Sequence, residues 1–327
     1  MAVSEQGEVC RSRSRKRAVW DKRPRTCVVV ACALLAAFAA GCGTSGSGVA
    51  SGGRILAVGA ENEYANVIEQ IGGSYVKVTA IESNPNTDPH TFEASPSVAE
   101  AVSAASLLIE NGVGYDTYME KIESASPNAS HKVINVQKLL GLPESTPNPH
   151  LWYKPTTMPI VAKAIASDLS ALQPAHAAYF QANDAAFEAS LKPWLQALAQ
   201  FKARYGGTTV ATTEPVADYM LEAAGTKNLT PFPFQADIMN GTDPAPQLVT
   251  LQNGLFSGHK VKVFVHNQQV SSPITEAFVK AAKAAGIPVV GVYETMPVPG
   301  YDYQSWMLAE VKALEKAVGQ GISTEKL

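Results

Sequence analysis

Residues 54–81 read "RILAVGAENEYANVIEQIGGSYVKVTAI". "RILAVGA" is a short apolar run of strand type. "ENEYANVIEQIGG" follows with helical patterning and stops at Gly72 and Gly73, and "YVKVTAI" returns to strand. A strand, a helix and a strand in direct succession are the unit of a parallel sheet with helices on its faces.

The rhythm continues outward. "SPSVAEAVSAAS" reads as a helix capped by Ser95 or Ser97, "LLIENG" as a strand, "GYDTYMEKIESA" as a helix and "KVINV" as a strand. After Gly207 it resumes. "TTVATTE", "NLTPF", "VKVFVH" and "IPVVGVYE" are strand candidates, separated by the helical stretches "PVADYMLEAAG", "APQLVTLQNGLFSG" and "SPITEAFVKAAKAAG", with a closing helix from about Tyr303. Between the two blocks "KPTTMPIVAKAIASDLSAL" predicts a helix that ends at "QP" (173–174). A second helix is expected from Pro174 to Tyr205, with Pro193 as the place for a kink. Roughly thirty helical residues at about 1.5 Å each would span about 45 Å, enough for a stiff spine. The expected architecture is α/β: two lobes, each a mainly parallel sheet flanked by helices, over 54–173 and 207–327, joined by a long spine helix over 174–206.

The N-terminus has a different chemistry. A basic run, "RSRSRKRAVWDKRPR", precedes the apolar "CVVVACALLAAFAA" and the small residues of "AAGC", the order of a secretory signal, here residues 1–41. Cys42 then resembles the lipidated first residue of a bacterial lipoprotein, although Ala39 stands where leucine is commonest. "GTSGSGVASGG" behind it makes residues 42–53 a flexible tether. An extracytoplasmic protein anchored to the cell membrane by lipid at Cys42 is expected. The leader holds 8 of the 26 Lys+Arg and 3 of the 29 Asp+Glu, so the chain without it carries a formal charge of −8. That excludes nucleic acid as the expected partner and suits a cationic ligand. All four cysteines (Cys10, Cys27, Cys32, Cys42) lie at or before the lipid position, so the body has neither disulfides nor thiolate metal sites.

In open α/β sheets, ligands gather beyond the carboxyl ends of the strands. His90 comes after "YVKVTAI" and His150 after "KVINV"; Glu214 ends "TTVATTE" and Glu294 ends "IPVVGVYE". Imidazole and carboxylate together are the donors of borderline and hard divalent cations such as Zn²⁺ and Mn²⁺. Both histidines follow a proline ("DPH", "NPH"), and the recurrence weighs against two unrelated turns. Glu214 and Glu294 could equally be acids favoured at helix starts. His266, which ends "VKVFVH", is the rival ligand among the remaining histidines.

"NPNTDPHTFEASPSVAEAVSAASLLIENGVGYDTYMEKI" and "NPHLWYKPTTMPIVAKAIASDL" resemble the two histidine motifs of the zinc/manganese solute-binding lipoproteins that serve ABC importers. The resemblance covers about residues 54–320. It implies four metal ligands, two per lobe: His90, His150, Glu214 and Glu294. "YETMPVPGYDYQSW" is an unusual form of the last motif and makes Asp302 a competitor of Glu294, and the His-rich acidic loop of many zinc receptors is absent. Asp88 or a backbone carbonyl is expected to orient the His90 ring.

These features predict a binding protein and not an enzyme: a monomer that captures Zn²⁺ or Mn²⁺ as transported ligand and hands it to a membrane permease. A metal-dependent hydrolase and a surface adhesin are the alternatives. The chain has no H-E-x-x-H and no G-x-S-x-G, and four protein ligands leave little room for substrate.

Overall fold

The computed structural model describes residues 53–297 and 299–327. The leader, Cys42 and nearly all of the tether lie outside the described residues. The opening stretch forms β1 (Ile55–Glu61), α1 (Asn62–Gly72) and β2 (Val76–Glu82). It continues through α2 (Pro96–Ala104), β3 (Leu107–Glu110), α3 (Thr117–Ala125), β4 (Lys132–Asn135) and the short α4 (Val136–Leu139). These four strands pair in parallel in the order β2-β1-β3-β4. Gly59 lets α1 settle on β1, because a Cβ there would meet the backbone nitrogen of Ala65 at 2.5 Å.

Three helices then cross the molecule: α5 (Thr157–Leu172), α6 (Ala177–Ser190) and α7 (Lys192–Tyr205). The expected spine is α6 and α7, one long helical run bent at Leu191. Pro193 is the cause, since it has no N–H to give to residue 189 and its ring crowds that carbonyl.

The second sheet is built from β5 (Thr209–Thr212), α8 (Asp218–Ala223), β6 (Lys227–Asn228), α9 (Phe232–Met239), α10 (Pro246–Ser257), β7 (Val263–Asn267), α11 (Pro273–Ala284), β8 (Val289–Val292) and α12 (Tyr303–Gln320). Its order, β6-β5-β7-β8, repeats that of the first, again all parallel. "NLTPF" is not a strand over its length. Pairing stops at Asn228, and Pro231 caps α9, with Pro233 in its first turn where a missing N–H costs nothing.

Each sheet keeps an outer apolar layer of its own. Val58 and Leu108 of the first sheet pack with Val102 of α2 and Met119 of α3, and Phe264 of the second with Phe256 of α10 and Phe278 of α11. The inner layer is common. One buried cluster runs from Tyr64 and Trp152 through Trp194 to Tyr303 and Trp306. In both sheets the first strand has its successor on one side and the third strand on the other. Such reversal points leave a crevice at the carboxyl ends.

Candidate metal centre

His150 is placed by the motif around it. Asn148 Oδ1 accepts from His150 N at 3.0 Å and from the ring Nδ1 at 2.8 Å, while Asn148 Nδ2 donates to Pro215 O at 2.8 Å. The acceptor facing Nδ1 fixes the ring's orientation and turns Nε2 toward Glu294, where a metal would sit. Trp152 stands edge-on to the ring, 5.4 Å between centroids, and His150 is fully buried.

His90 lies in a single 3-10 turn, Pro89–Thr91. Asp88, one of the two expected partners of the ring, instead accepts from the His90 backbone N–H at 2.9 Å and so fixes the turn. The ring is the exposed member of the group, 20% accessible against 0% for His150.

Glu294 follows β8 and is fully buried. Its Oε2 lies 3.1 Å from His150 Nε2 and 3.1 Å from His90 Nε2, and it accepts from Tyr115 Oη at 2.9 Å. The His90 contact is an ion-pair approach without hydrogen-bond alignment. Its Oε1 accepts from Asn267 Nδ2 at 2.6 Å, and the same amide reaches Glu214 Oε1 at 3.2 Å. Glu214 Oε2 is buried with no partner. His90, His150 and Glu294 thus bring one donor atom each within 4.8 Å of one another, and Glu214 stands beside them across Asn267.

The two rivals go elsewhere. Asp302 caps α12, accepting from Ser305 N at 2.9 Å. His266 sits next to Asn267 on β7, so by strand alternation its ring points to the other face, where it stacks on Phe264. Burial lowers its pKa to about 4.

Charge follows geometry. Burial pushes the Glu294 carboxyl up, but the neighbouring His90 charge and the hydrogen bond from His150 prevail and hold it well below the carboxylate range. Burial would lower His90, yet the Glu294 charge takes it above its ordinary value, whereas in His150 burial prevails and lowers it. Glu214 is raised strongly, by burial first and by Glu294 second. Without metal the centre therefore favours charge on the His90–Glu294 pair and disfavours it on Glu214.

The donor set fits a cation. Ligand atoms about 2.0–2.2 Å from one ion stand roughly 3 to 3.5 Å apart, the spacing seen between each imidazole and Glu294. Asn267, Asn148 and Tyr115 were not singled out from the sequence. A search for ligand types passes over amides and phenols, although Asn267 ends its strand at the carboxyl edge and Asn148 lies in the "NPH" motif itself.

Several known proteins share this framework. The manganese-binding lipoprotein MntA of Bacillus subtilis is 28% identical over 171 residues, 50% of this chain and 56% of that protein. The zinc-binding protein TroA of Treponema pallidum is 26% identical over 175 residues, 52% and 56% of the two chains. The match thus spans about half the length of these relatives. The iron-binding protein YfeA of Yersinia pestis is 23% identical over 272 residues, 78% of this chain and 83% of that one. A periplasmic metal binding protein from candidatus liberibacter asiaticus superposes with a TM-score of 0.67 at 19% identity, covering 81% of this chain and 100% of that chain. A crystal structure of ZnuA does so with 0.65 at 23%, covering 81% and 99%. These two structures share the fold. The family described as zinc-uptake complex component A, periplasmic (ZnuA), matches residues 58–317. Because that match begins within β1, ends within α12 and includes all four candidate ligands, the chain belongs to the ZnuA family.

Proposed function

We propose that the chain is the solute-binding component of an ABC-type metal importer, capturing Zn²⁺ or Mn²⁺ between its two sheets and delivering it to a membrane permease. The observation that carries this reading is the convergence of two imidazole nitrogens on one buried oxygen of Glu294. His90, His150 and Glu294 are the inner donors, and Glu214 completes the set once Asn267 yields its place between the acids. The relatives' names divide between manganese, zinc and iron. Two imidazoles with two carboxylates suit Mn²⁺ by their oxygen content and Zn²⁺ by intrinsic affinity. A binding role and no catalysis is proposed, because the further polar groups on Glu294, Tyr115 and Asn267, are hydrogen-bond donors and neither is a base.

The lobes are proposed at 54–173 and 207–327 with α6 and α7 as the bridge, and the chain as a monomer. MntA and a manganese ABC transporter substrate-binding lipoprotein, PsaA of Streptococcus mitis, are lipoproteins by name. Among the described residues no helix is long and apolar enough to cross a membrane. Both points are consistent with a signal peptide over 1–41 and an extracytoplasmic anchor at Cys42. Metal analysis of protein purified without chelator tests the function: about one Zn²⁺ or Mn²⁺ per chain, lost in His90→Ala and in His150→Ala. Full occupancy in both variants would remove the assignment.

A further inference from the structure

The turn that carries His90 holds itself together with local bonds. Thr87 N and Thr87 Oγ1 donate to Asn84 O, Asp88 accepts from His90 N, and Phe92 N donates to Pro89 O. Open space lies on both of its flanks. A cavity of about 370 Å³ on one side is lined by Glu82, Asn84, Thr87 and Thr295. Another of about 370 Å³ on the other is lined by His90, Tyr115, Tyr118 and Asn240. A turn so placed has room to swing, and His90 is the exposed donor of the centre.

Among the described residues, one hydrogen bond ties residues 83–92 to the half of the molecule built on the second sheet, besides the His90–Glu294 contact. Gln269 Nε2 donates to Thr87 O at 2.8 Å. Gln269 is buried, and every position of its amide is used. Oε1 accepts from Glu294 N at 2.6 Å and Thr295 N at 2.7 Å, and Nε2 also donates to Thr295 Oγ1 at 3.0 Å. Two backbone N–H groups facing the oxygen fix the amide's orientation, since the flipped form would set donor against donor. One side chain therefore holds the backbone of Glu294 and the turn of His90 at the same time.

We propose that Gln269 is a positioning residue that latches the His90 turn onto the Glu294 segment and thereby sets how fast metal enters and leaves. The proposal rests on the metal-binding reading for its kinetic half only. The latch itself is a property of the metal-free protein. Closing costs little because the amide is already held by Glu294 and Thr295, and opening breaks the Gln269–Thr87 hydrogen bond, draws His90 away from Glu294 and lets water into the His90 side. A net hydrogen bond of this kind changes the open fraction about threefold to tenfold.

Gln269→Glu in its ionised form keeps an acceptor for the two backbone N–H groups and removes the donors to Thr87 and Thr295, and Gln269→Ala removes acceptor and donors together. Hydrogen exchange of residues 83–92 in the metal-free full chain should rise about threefold to tenfold in Gln269→Glu, because isolated turn bonds give little protection once their anchor is gone. Stopped-flow binding of Zn²⁺, and its release to a chelator, should both speed up by similar factors, leaving Kd within about threefold of wild type. A merely structural defect at Glu294 would raise release alone. Unchanged exchange in both variants, or faster release with unchanged binding rate in Gln269→Glu, would overturn the latch. A wild-type chain that takes up no Zn²⁺ would sink the metal reading, while the exchange result would still decide the latch.

Discussion

Glu294 keeps its charge in surroundings where other acids give theirs up. It can do so because the His90 cation and the hydrogen bonds at Oε2 replace the water it lost. Glu214 has one hydrogen-bond donor, Asn267, and burial beside Glu294 raises its pKa strongly. A divalent metal would take over the His90 proton's role and draw the proton from Glu214. Binding therefore releases protons and depends steeply on pH. The Glu294 charge holds the His90 pKa above its ordinary value of about 6.5, so affinity should rise as pH increases through and above 6.5. Calorimetric titrations of Zn²⁺ in buffers of different ionisation heat, between about pH 6 and 8, should show at least one proton released. A pH-independent affinity over that range would contradict the pairing. The acids should also separate by substitution. Glu294→Gln removes the oxygen on which both imidazoles converge and should lower affinity by orders of magnitude. Glu214→Gln should cost less and leave His150 in place, and equal effects would contradict this ranking. Sequence alone reached these residues because imidazoles and carboxylates after strands are few. It missed Asn148, Asn267 and Gln269, since amides do their work through geometry that no pattern of residue types reports.

At the level of elements, the parallel sheets were legible because buried strands and amphipathic helices alternate plainly from Arg54 onward. The misreading is at prolines. In "NLTPF" the apolar residues suggested a strand, but Pro231 and Pro233 begin a helix. At Pro193 the kink allowed for in the long helix is the bend between α6 and α7. Asp302 shows the same limit from another side: an acid just before an apolar helix is a ligand candidate by composition and a cap by geometry. Its carboxylate and Ser305 form a reciprocal capping box on α12, whose buried face includes Tyr303, Trp306 and Met307. Asp302→Ala should therefore lower the midpoint of denaturation by the equivalent of about 1 kcal/mol. Zn²⁺ affinity should stay at its wild-type value. A large loss of affinity with unchanged stability would restore Asp302 as a ligand.

Across the whole molecule, the shared inner core makes the two sheets a poor pair for wide hinge motion. Tyr153 Oη donates to Tyr293 O at 2.7 Å, Tyr303 Oη to Trp152 O, and Asn62 exchanges two hydrogen bonds with the Met296 backbone. Stability and metal should therefore be coupled through protons more than through shape. Burial raises Glu310 to about 8, Glu82 to about 9 and Asp116 to about 7, against ordinary values near 4. A raised folded-state pKa means that the native protein holds a proton the unfolded chain has released. The stabilisation is complete below the unfolded value and is lost as pH rises through the folded one, at about 1.4 kcal/mol per pH unit for each proton. His90 acts in the same direction. His150 and His266, both lowered, oppose it below about pH 6.5 and are silent above it. The metal-free protein should thus melt at progressively lower temperature from about pH 7 to 9. Glu310→Gln, neutral at every pH and still able to accept from Tyr153 and Trp306, should flatten that slope. Metal should reverse the trend. It binds the native state alone and adds about 2.7 kcal/mol at a hundred times its Kd. Because its affinity grows as His90 and Glu214 lose their protons, the Zn²⁺-induced rise in melting temperature should be larger at about pH 8 than at about pH 6. Melts at three pH values with and without Zn²⁺, for wild type and Glu310→Gln, test both halves. A metal shift that shrinks with rising pH would mean that the centre does not exchange protons for the ion. A Glu310→Gln slope equal to wild type would place the pH dependence elsewhere than in Glu310.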